Sequence, residues 1–238
     1  MTKMTLDTLV ARLRAALGDG LQAVVLYGSA VGNEHHERHS DVNVLVLVKR
    51  LGSAELGSGM AAATHAWREA GNPAPLLLTV REWHGSADIF PMEYADILER
   101  HRVLHGALPT EGLVVAPRDL RLQAEHEAMG KLLQLRAGIL TAGDDARRQR
   151  ALLSASLSTF MVIFRAVERL HGVAPAADYD TLARAVAARA GFDAEPFVRV
   201  AEHRRGSDPL ADPGPVLAGY LAGAEKLATH LDVFTIGK

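Results

Sequence analysis

The residues best suited to chemistry lie in the segment LYGSAVGNEHHERHSDVNVLVLV, residues 26–48. Gly28 has no side chain to keep an anion away from the backbone N–H groups, and the Ser29 hydroxyl adds a hydrogen-bond donor. After a polar loop of eleven residues (30–40), the Asp41 carboxylate and the Asn43 amide oxygen are ligands of the kind that Mg²⁺ binds. A phosphate-binding turn beside a magnesium ligand is the minimum equipment for phosphoryl or nucleotidyl transfer.

Short apolar runs on either side of this segment must position these residues. We predict strands from the apolar and β-branched runs LQAVVLY (21–27), VNVLVLV (42–48) and PLLLTV (75–80), with HRVLHG (101–106) as an edge strand. Apolar residues at helical spacing between 6 and 17 predict an amphipathic helix before the first strand. Strands that alternate with helices in this way predict a mixed sheet, and hence an α+β fold class.

After Pro117 the strand-like patterns stop, and apolar residues recur every three or four positions. This spacing predicts two long helices followed by three weaker ones near 179–190, 194–204 and 215–231. We therefore predict two domains, a mixed-sheet domain over residues 1–117 and an all-α helical bundle over residues 118–238.

Composition excludes several classes of function. The chain has 238 residues, no Cys and a formal net charge of -2. Without Cys there are no disulfides, thiol nucleophiles, iron–sulfur clusters or Cys-ligated zinc sites. The net charge provides no general attraction to nucleic acid or anionic membranes. We find no targeting segment and no apolar run long enough to cross a bilayer, and we expect a cytoplasmic protein without a membrane partner. The oligomeric state is left open.

The spacing from Gly28-Ser29 to Asp41-Val42-Asn43, between two apolar strands, resembles the nucleotidyltransferase superfamily, which contains the aminoglycoside and minimal nucleotidyltransferases. The resemblance implies a nucleotidyltransferase-like N-terminal domain followed by the helical domain. It implies transfer of a nucleotidyl group from a Mg²⁺-bound nucleoside triphosphate to a hydroxyl of a small molecule or protein. Gly28, Ser29 and Asn43 would then bind the nucleotide, and Asp41 and Asn43 the metal.

The sequence departs from the family pattern at its acidic positions. The family has two carboxylates one residue apart on the second strand, where Asp41 is followed by Asn43 in this chain. The predicted third strand carries no carboxylate, so Glu82 and Glu93 are the nearest replacements. We assign catalytic roles to Asp41 and Glu93. Two hypotheses remain open: the site is rebuilt and active, or the fold binds a nucleotide or another ligand without catalysis.

Two histidine patterns have competing interpretations. Arg165 and His171 resemble the ribonuclease motif of HEPN helical domains, although His171 would also close its helix favourably before a glycine. Three histidines, His35, His36 and His39, crowd the loop before Asp41 and are either zinc ligands or solvated side chains. In both cases we favour the simpler, structural interpretation.

Overall fold

The computed structural model of the chain describes residues 4–31 and 42–236. The chain divides into two compact units, Met1–Val115 and Ala116–Lys238. In the described residues the first unit contains four strands and four α-helices, and the second contains α-helices without a strand. The predicted α+β class, a mixed sheet followed by a helical region, is confirmed.

The sheet of the first unit has the strand order β3-β2-β1-β4. Its strands are β1 (Leu21–Tyr27), β2 (Asn43–Val48), β3 (Leu76–Thr79) and β4 (His101–Gly106). β1 pairs antiparallel with both β2 and β4, while β2 and β3 are parallel. Because its two neighbours run in the opposite direction, the carboxyl end of β1 lies between the amino ends of β2 and β4.

Helices cover both faces of this sheet. They are α1 (Leu6–Leu17), α2 (Ser58–Glu69), α3 (Val80–Gly85) and α4 (Pro91–Glu99). One face packs on α1 and α2 through Leu9, Leu13 and Trp67, and the other packs on α3 and α4. Since both faces are buried, β1 and β2 are almost continuously apolar instead of alternating.

A pair of aromatic rings anchors α4 to α3. The rings of Trp83 and Tyr94 stack with centroids 4.3 Å apart, and the Tyr94 hydroxyl donates to the Trp83 carbonyl at 2.7 Å. The indole Nε1 of Trp83 donates to the Pro109 carbonyl, also at 2.7 Å. Both buried aromatic residues therefore satisfy their polar atoms while they fix α4 against the sheet.

The second unit is a bundle of five helices in the part that the structure describes. They are α5 (Pro117–Ala142), α6 (Ala146–Leu170), α7 (Tyr179–Ala190), α8 (Glu195–Arg205) and α9 (Pro213–Asp232). α6 packs against each of the other four. Its Phe160 and Phe164 contact Phe197 of α8, whose ring stacks on Tyr220 of α9 with centroids 4.1 Å apart. This aromatic cluster forms the centre of the bundle.

By length and composition alone α6 could cross a membrane, which the sequence analysis did not anticipate. Half of its most apolar stretch is buried inside the protein. Leu153, Leu157 and Phe164 are fully buried among the neighbouring helices. The place of α6 at the centre of the bundle accounts for the buried half of this apolar stretch.

Candidate functional site

The candidate site begins at the turn that follows β1. Gly28 has a φ of +78°, in the left-handed region that favours glycine, and it opens a 3₁₀ turn over Gly28–Val31. A Cβ atom on Gly28 would lie 3.3 Å from Nδ2 of Asn43, closer than ordinary contact. Glycine is therefore suited to this position both by its backbone conformation and by the approach of the Asn43 amide.

Three polar side chains share one face of the sheet beside this turn. Tyr27 is the Cα partner of Asn43 in β2 and of His101 in β4. Directly opposed residues of antiparallel strands present their side chains on the same face. Tyr27 packs with the core that includes Trp83 and Tyr94, so this is the face covered by α3 and α4.

Two carboxylates of α4 influence the Tyr27 hydroxyl electrostatically. Glu93 and Asp96 are three residues apart and therefore project from one side of the helix. Burial, followed by the negative charges of Glu93 and Asp96, raises the pKa of Tyr27 from its ordinary value to about 12. An acidic pair thus lies within electrostatic reach of the Tyr27 hydroxyl, at the end of β1 where Gly28 turns the chain.

His101 joins α4 to the other flank of the site. Its Nδ1 lies 2.7 Å from the Ile97 carbonyl oxygen. Because a carbonyl can only accept, Nδ1 must carry a proton, and in the neutral ring Nε2 is then an acceptor. This hydrogen bond fixes the orientation of the His101 ring at the start of β4.

The donor chemistry of this region fits a hard cation such as Mg²⁺. Asn43 contributes an amide oxygen and α4 contributes two carboxylates, all of them oxygen ligands. Within residues 4–31 and 42–236, however, no three His, Asp or Glu side chains come together as a metal site. A metal at this edge would therefore need a further ligand, and Asp41 is the one predicted from the sequence.

The structure places the predicted site residues unequally. It brings Gly28, Asn43 and Glu93 to one end of the sheet. Asp41 lies outside the described residues, as do the three loop histidines, and of Ser29 only the backbone turn is described.

Glu82, the other acidic candidate, has a structural role. Its carboxylate accepts from the Thr79 backbone N–H at 2.7 Å and from the Thr79 hydroxyl at 2.9 Å. The Glu82 N–H donates back to the Thr79 hydroxyl, which completes a capping box at the start of α3. These hydrogen bonds lower the pKa of Glu82.

Sequence reasoning missed three residues of this region, namely Tyr27, Asp96 and His101. The three-residue spacing of Glu93 and Asp96 was a visible signal, since it places both on one side of a helix. Nothing local indicated that His101 would pair with Tyr27, because that register joins segments more than seventy residues apart.

The histidine of the alternative ribonuclease motif has a different partner. His171 ends α6, where its backbone N–H donates to the carbonyls of Val167 and Glu168. Its Nε2 lies 3.2 Å from Nε2 of His230 on α9. Burial lowers the pKa of both imidazoles; the charge of Arg189 lowers that of His171 further, and the charges of His171 and then Arg189 lower that of His230 further. The described contacts therefore favour the structural interpretation of His171.

The chain resembles solved structures, one of them over nearly its whole length, while no protein-family model and no curated protein sequence matches it. The structure is spectinomycin adenyltransferase AAD(9) from Enterococcus faecialis with ATP and spectinomycin. The TM-score is 0.60 at 11% sequence identity, and the match covers 94% of this chain and 99% of that chain. The chain therefore has the fold of a nucleotidyltransferase.

Proposed function

We propose that this protein is a nucleotidyltransferase that transfers a nucleotidyl group from a Mg²⁺-bound nucleoside triphosphate to a hydroxyl group. The acceptor is a small molecule or a protein side chain. In this reaction the acceptor oxygen forms a bond to the α-phosphorus, and the bond from that phosphorus to the bridging oxygen of the β-phosphate breaks. Pyrophosphate leaves, and the hydroxyl proton passes to a base on the protein.

One observation carries the proposal. Within a nucleotidyltransferase fold, the glycine turn after β1 lies at the same end of the sheet as Asn43 and the acidic pair of α4. The family pattern has a carboxylate where this chain has Asn43. Glu93 and Asp96 supply negative charge from a helix on the covering face, and this charge replaces part of what β2 lacks.

The turn is the proposed triphosphate site. Backbone N–H groups in a glycine-initiated turn can contact phosphate oxygens closely because Gly28 has no side chain. The Ser29 hydroxyl would donate a further hydrogen bond. Asn43 would orient the nucleotide through its amide, whose Nδ2 is beside Gly28.

Asp41 and Asn43 are the proposed ligands of Mg²⁺. They are two residues apart, so in an extended segment they point to one side. When bound, the metal would neutralise phosphate charge and favour departure of pyrophosphate. Asn43 is uncharged, so of these two ligands only Asp41 would offset the positive charge of the metal.

Glu93 is the proposed general base. It is half-buried in the first turn of α4, and its charge is felt at Tyr27, next to the phosphate turn. A carboxylate in that position can accept the proton of the attacking hydroxyl. Asp96, on the same side of α4, would keep the local field negative.

The direct test is transfer of labelled nucleotide. The protein is incubated with Mg²⁺ and α-labelled ATP, GTP, CTP or UTP, and with spectinomycin as the first acceptor because the similar structure contains it. We expect a labelled product with release of pyrophosphate, and its loss in Asp41→Ala. If calorimetry shows that Asp41→Ala binds Mg²⁺-ATP as the wild type does, the metal role of Asp41 is wrong.

A second function is favoured by Asn43 itself. With an amide in place of a carboxylate, the site has fewer negative charges to hold Mg²⁺, which suits a protein that binds a nucleotide without turning it over. This alternative predicts saturable ATP binding with no label transferred to any acceptor. In that case Asn43→Asp is the informative variant. If it transfers labelled nucleotide, the site lacks only this one negative charge for catalysis.

A further inference from the structure

α5 presents apolar residues on two of its sides. One side is buried against α6 and α9. On the other side Leu122, Met129, Leu133 and Leu140 are 48%, 47%, 55% and 86% exposed. Their spacings of seven, four and seven residues place them on a single stripe along the helix, because 100° per residue returns each to nearly the same direction. We call these four residues the α5 stripe.

The spacing of the residues in the α5 stripe is the same from either end of the helix. The point midway between Leu122 and Leu140 is also midway between Met129 and Leu133. A two-fold axis across the helix at this point therefore sets Leu122 against Leu140 of a second copy, and Met129 against Leu133. Such self-complementarity is what an isologous interface requires, and a different partner protein would not call for it.

Charge beside the α5 stripe fits the same arrangement. Glu125 and Arg136 are eleven residues apart, three helical turns, and lie on one flank of the α5 stripe. The two-fold axis brings Arg136 of one copy level with position 126 of the other, next to Glu125, and it does so twice. In the single chain Glu125 pairs with Arg121 at 2.9 Å and Arg136 with Glu225 at 2.7 Å. Arginine has five N–H donors, so Arg136 can bind Glu125 of the second copy while it keeps its ion pair with Glu225.

We propose that the α5 stripe is a self-association face, through which two copies of this chain pair with their α5 helices antiparallel. The half-buried Gly130 and the exposed Ala137 beside the α5 stripe have little or no side chain, which leaves room for the helices to approach. α5 is about 39 Å long at 1.5 Å per residue. One helix side falls short of the roughly 800 Å² per partner of a standard interface, so the dimer is weak, with a dissociation constant on the order of 10–100 μM.

Sedimentation velocity over a range of protein concentrations tests the dimer. We expect the wild type to shift from monomer to dimer as the protein concentration rises through about 10–100 μM, the expected dissociation constant. We expect Leu133→Glu to remain monomeric, because the two copies would place two carboxylates near the two-fold axis. Leu56→Glu is the matched control, since Leu56 is 52% exposed, close to the 55% of Leu133, and lies in the first unit well before α5 in sequence. Circular dichroism establishes that both variants are folded. A wild type that stays monomeric throughout, or a dimer that persists in Leu133→Glu, overturns the proposal.

Cross-linking tests the antiparallel register, and the absence of native Cys makes it clean. Leu122→Cys and Leu140→Cys are made as separate single variants, mixed, and treated with a short bis-maleimide. The two differ in tag length so that products can be told apart. We expect a higher yield of the cross-linked product that joins Leu122→Cys to Leu140→Cys than of either product that joins two copies of the same variant. Equal or greater yield of the homodimers would overturn the antiparallel arrangement.

Discussion

The amide nitrogen of Asn43 lies 3.3 Å from the point that a Cβ atom of Gly28 would occupy. The two residues are close because β1 and β2 are antiparallel, which brings the end of one strand to the start of the other. The proposed phosphate turn and the proposed nucleotide-binding amide therefore depend on each other. A side chain at position 28 has to displace Asn43 or move the turn.

This relationship predicts the effect of Gly28→Ala. A left-handed conformation costs a residue with a Cβ about 1–2 kcal/mol, so we expect a loss of unfolding free energy of that order in urea titrations. We also expect weaker ATP binding in calorimetry, because Asn43 must move. Gly71→Ala is the matched control: Gly71 has a φ of +89°, and its Cβ would meet no atom within 4 Å. Equal ATP affinity in the two variants would mean that the turn does not bind the nucleotide.

The two acidic candidates are distinguished by a pair of conservative substitutions. Glu93→Gln removes the proposed base, and we expect label transfer to fall by about 100-fold or more with ATP affinity little changed. Glu82→Gln alters only the capping box of α3, and we expect full transfer with a small loss of stability. A transfer rate that falls in Glu82→Gln and not in Glu93→Gln would reverse the assignment.

The buried ion pair between α6 and α7 is expected to stabilise the bundle. Glu168 is 3% exposed, and its carboxylate lies 2.6 Å from Nε of Arg189. Arg189→Met leaves that carboxylate buried without its partner, so we expect a loss of about 3–5 kcal/mol in denaturant unfolding. Arg184→Met removes the exposed pair with Glu195 from the same helix and should cost less than about 1 kcal/mol. Similar losses in both variants would argue against a special role for the buried pair.

The stability of the bundle should depend on pH through His171 and His230. Both pKa values are lowered in the folded protein, so the unfolded state binds more protons below the ordinary histidine value of about 6.5. Stability is therefore full above this value and falls as the pH drops through it. Arg189 opposes protonation of both rings, a charge on His171 opposes protonation of His230 more strongly than Arg189 does, and Glu168 favours protonation of His171.

Urea unfolding at pH 5, 6 and 7 measures this dependence. We expect the free energy of unfolding to vary less with pH in the double variant His171→Gln/His230→Gln, because it lacks both imidazoles. His126→Gln is the control, because the His126 side chain is 86% exposed. An unchanged pH dependence in the double variant would assign it to other groups.

Much of the local structure was predictable from the sequence. The first helix occupies the predicted residues 6–17, and β1 and β4 occupy 21–27 and 101–106. The long apolar repeats of α5 and α6 also predicted helices. These predictions succeed because the periodicity of apolar residues reflects which sides of a segment are buried.

The candidate site was predictable only in part. The glycine turn and Asn43 stand out because both lie within one short segment of unusual composition. Glu93 was one of two acidic candidates, and the capping box that engages Glu82 became visible only with the structure. Asp96 and His101 were not predicted, because their relation to Tyr27 depends on where α4 and β4 pack.

The sequence by itself determined most of the helices and strands, the absence of cysteine chemistry and the segment from Gly28 to Asn43 that predicts nucleotide chemistry. The tertiary structure decided the strand order, the alignment of Tyr27 with both Asn43 and His101, and the outward direction of the α5 stripe. The physical reason is one of range. Periodicity and turn residues act within about ten positions of the chain, whereas register and exposure are set by which distant surfaces bury each other.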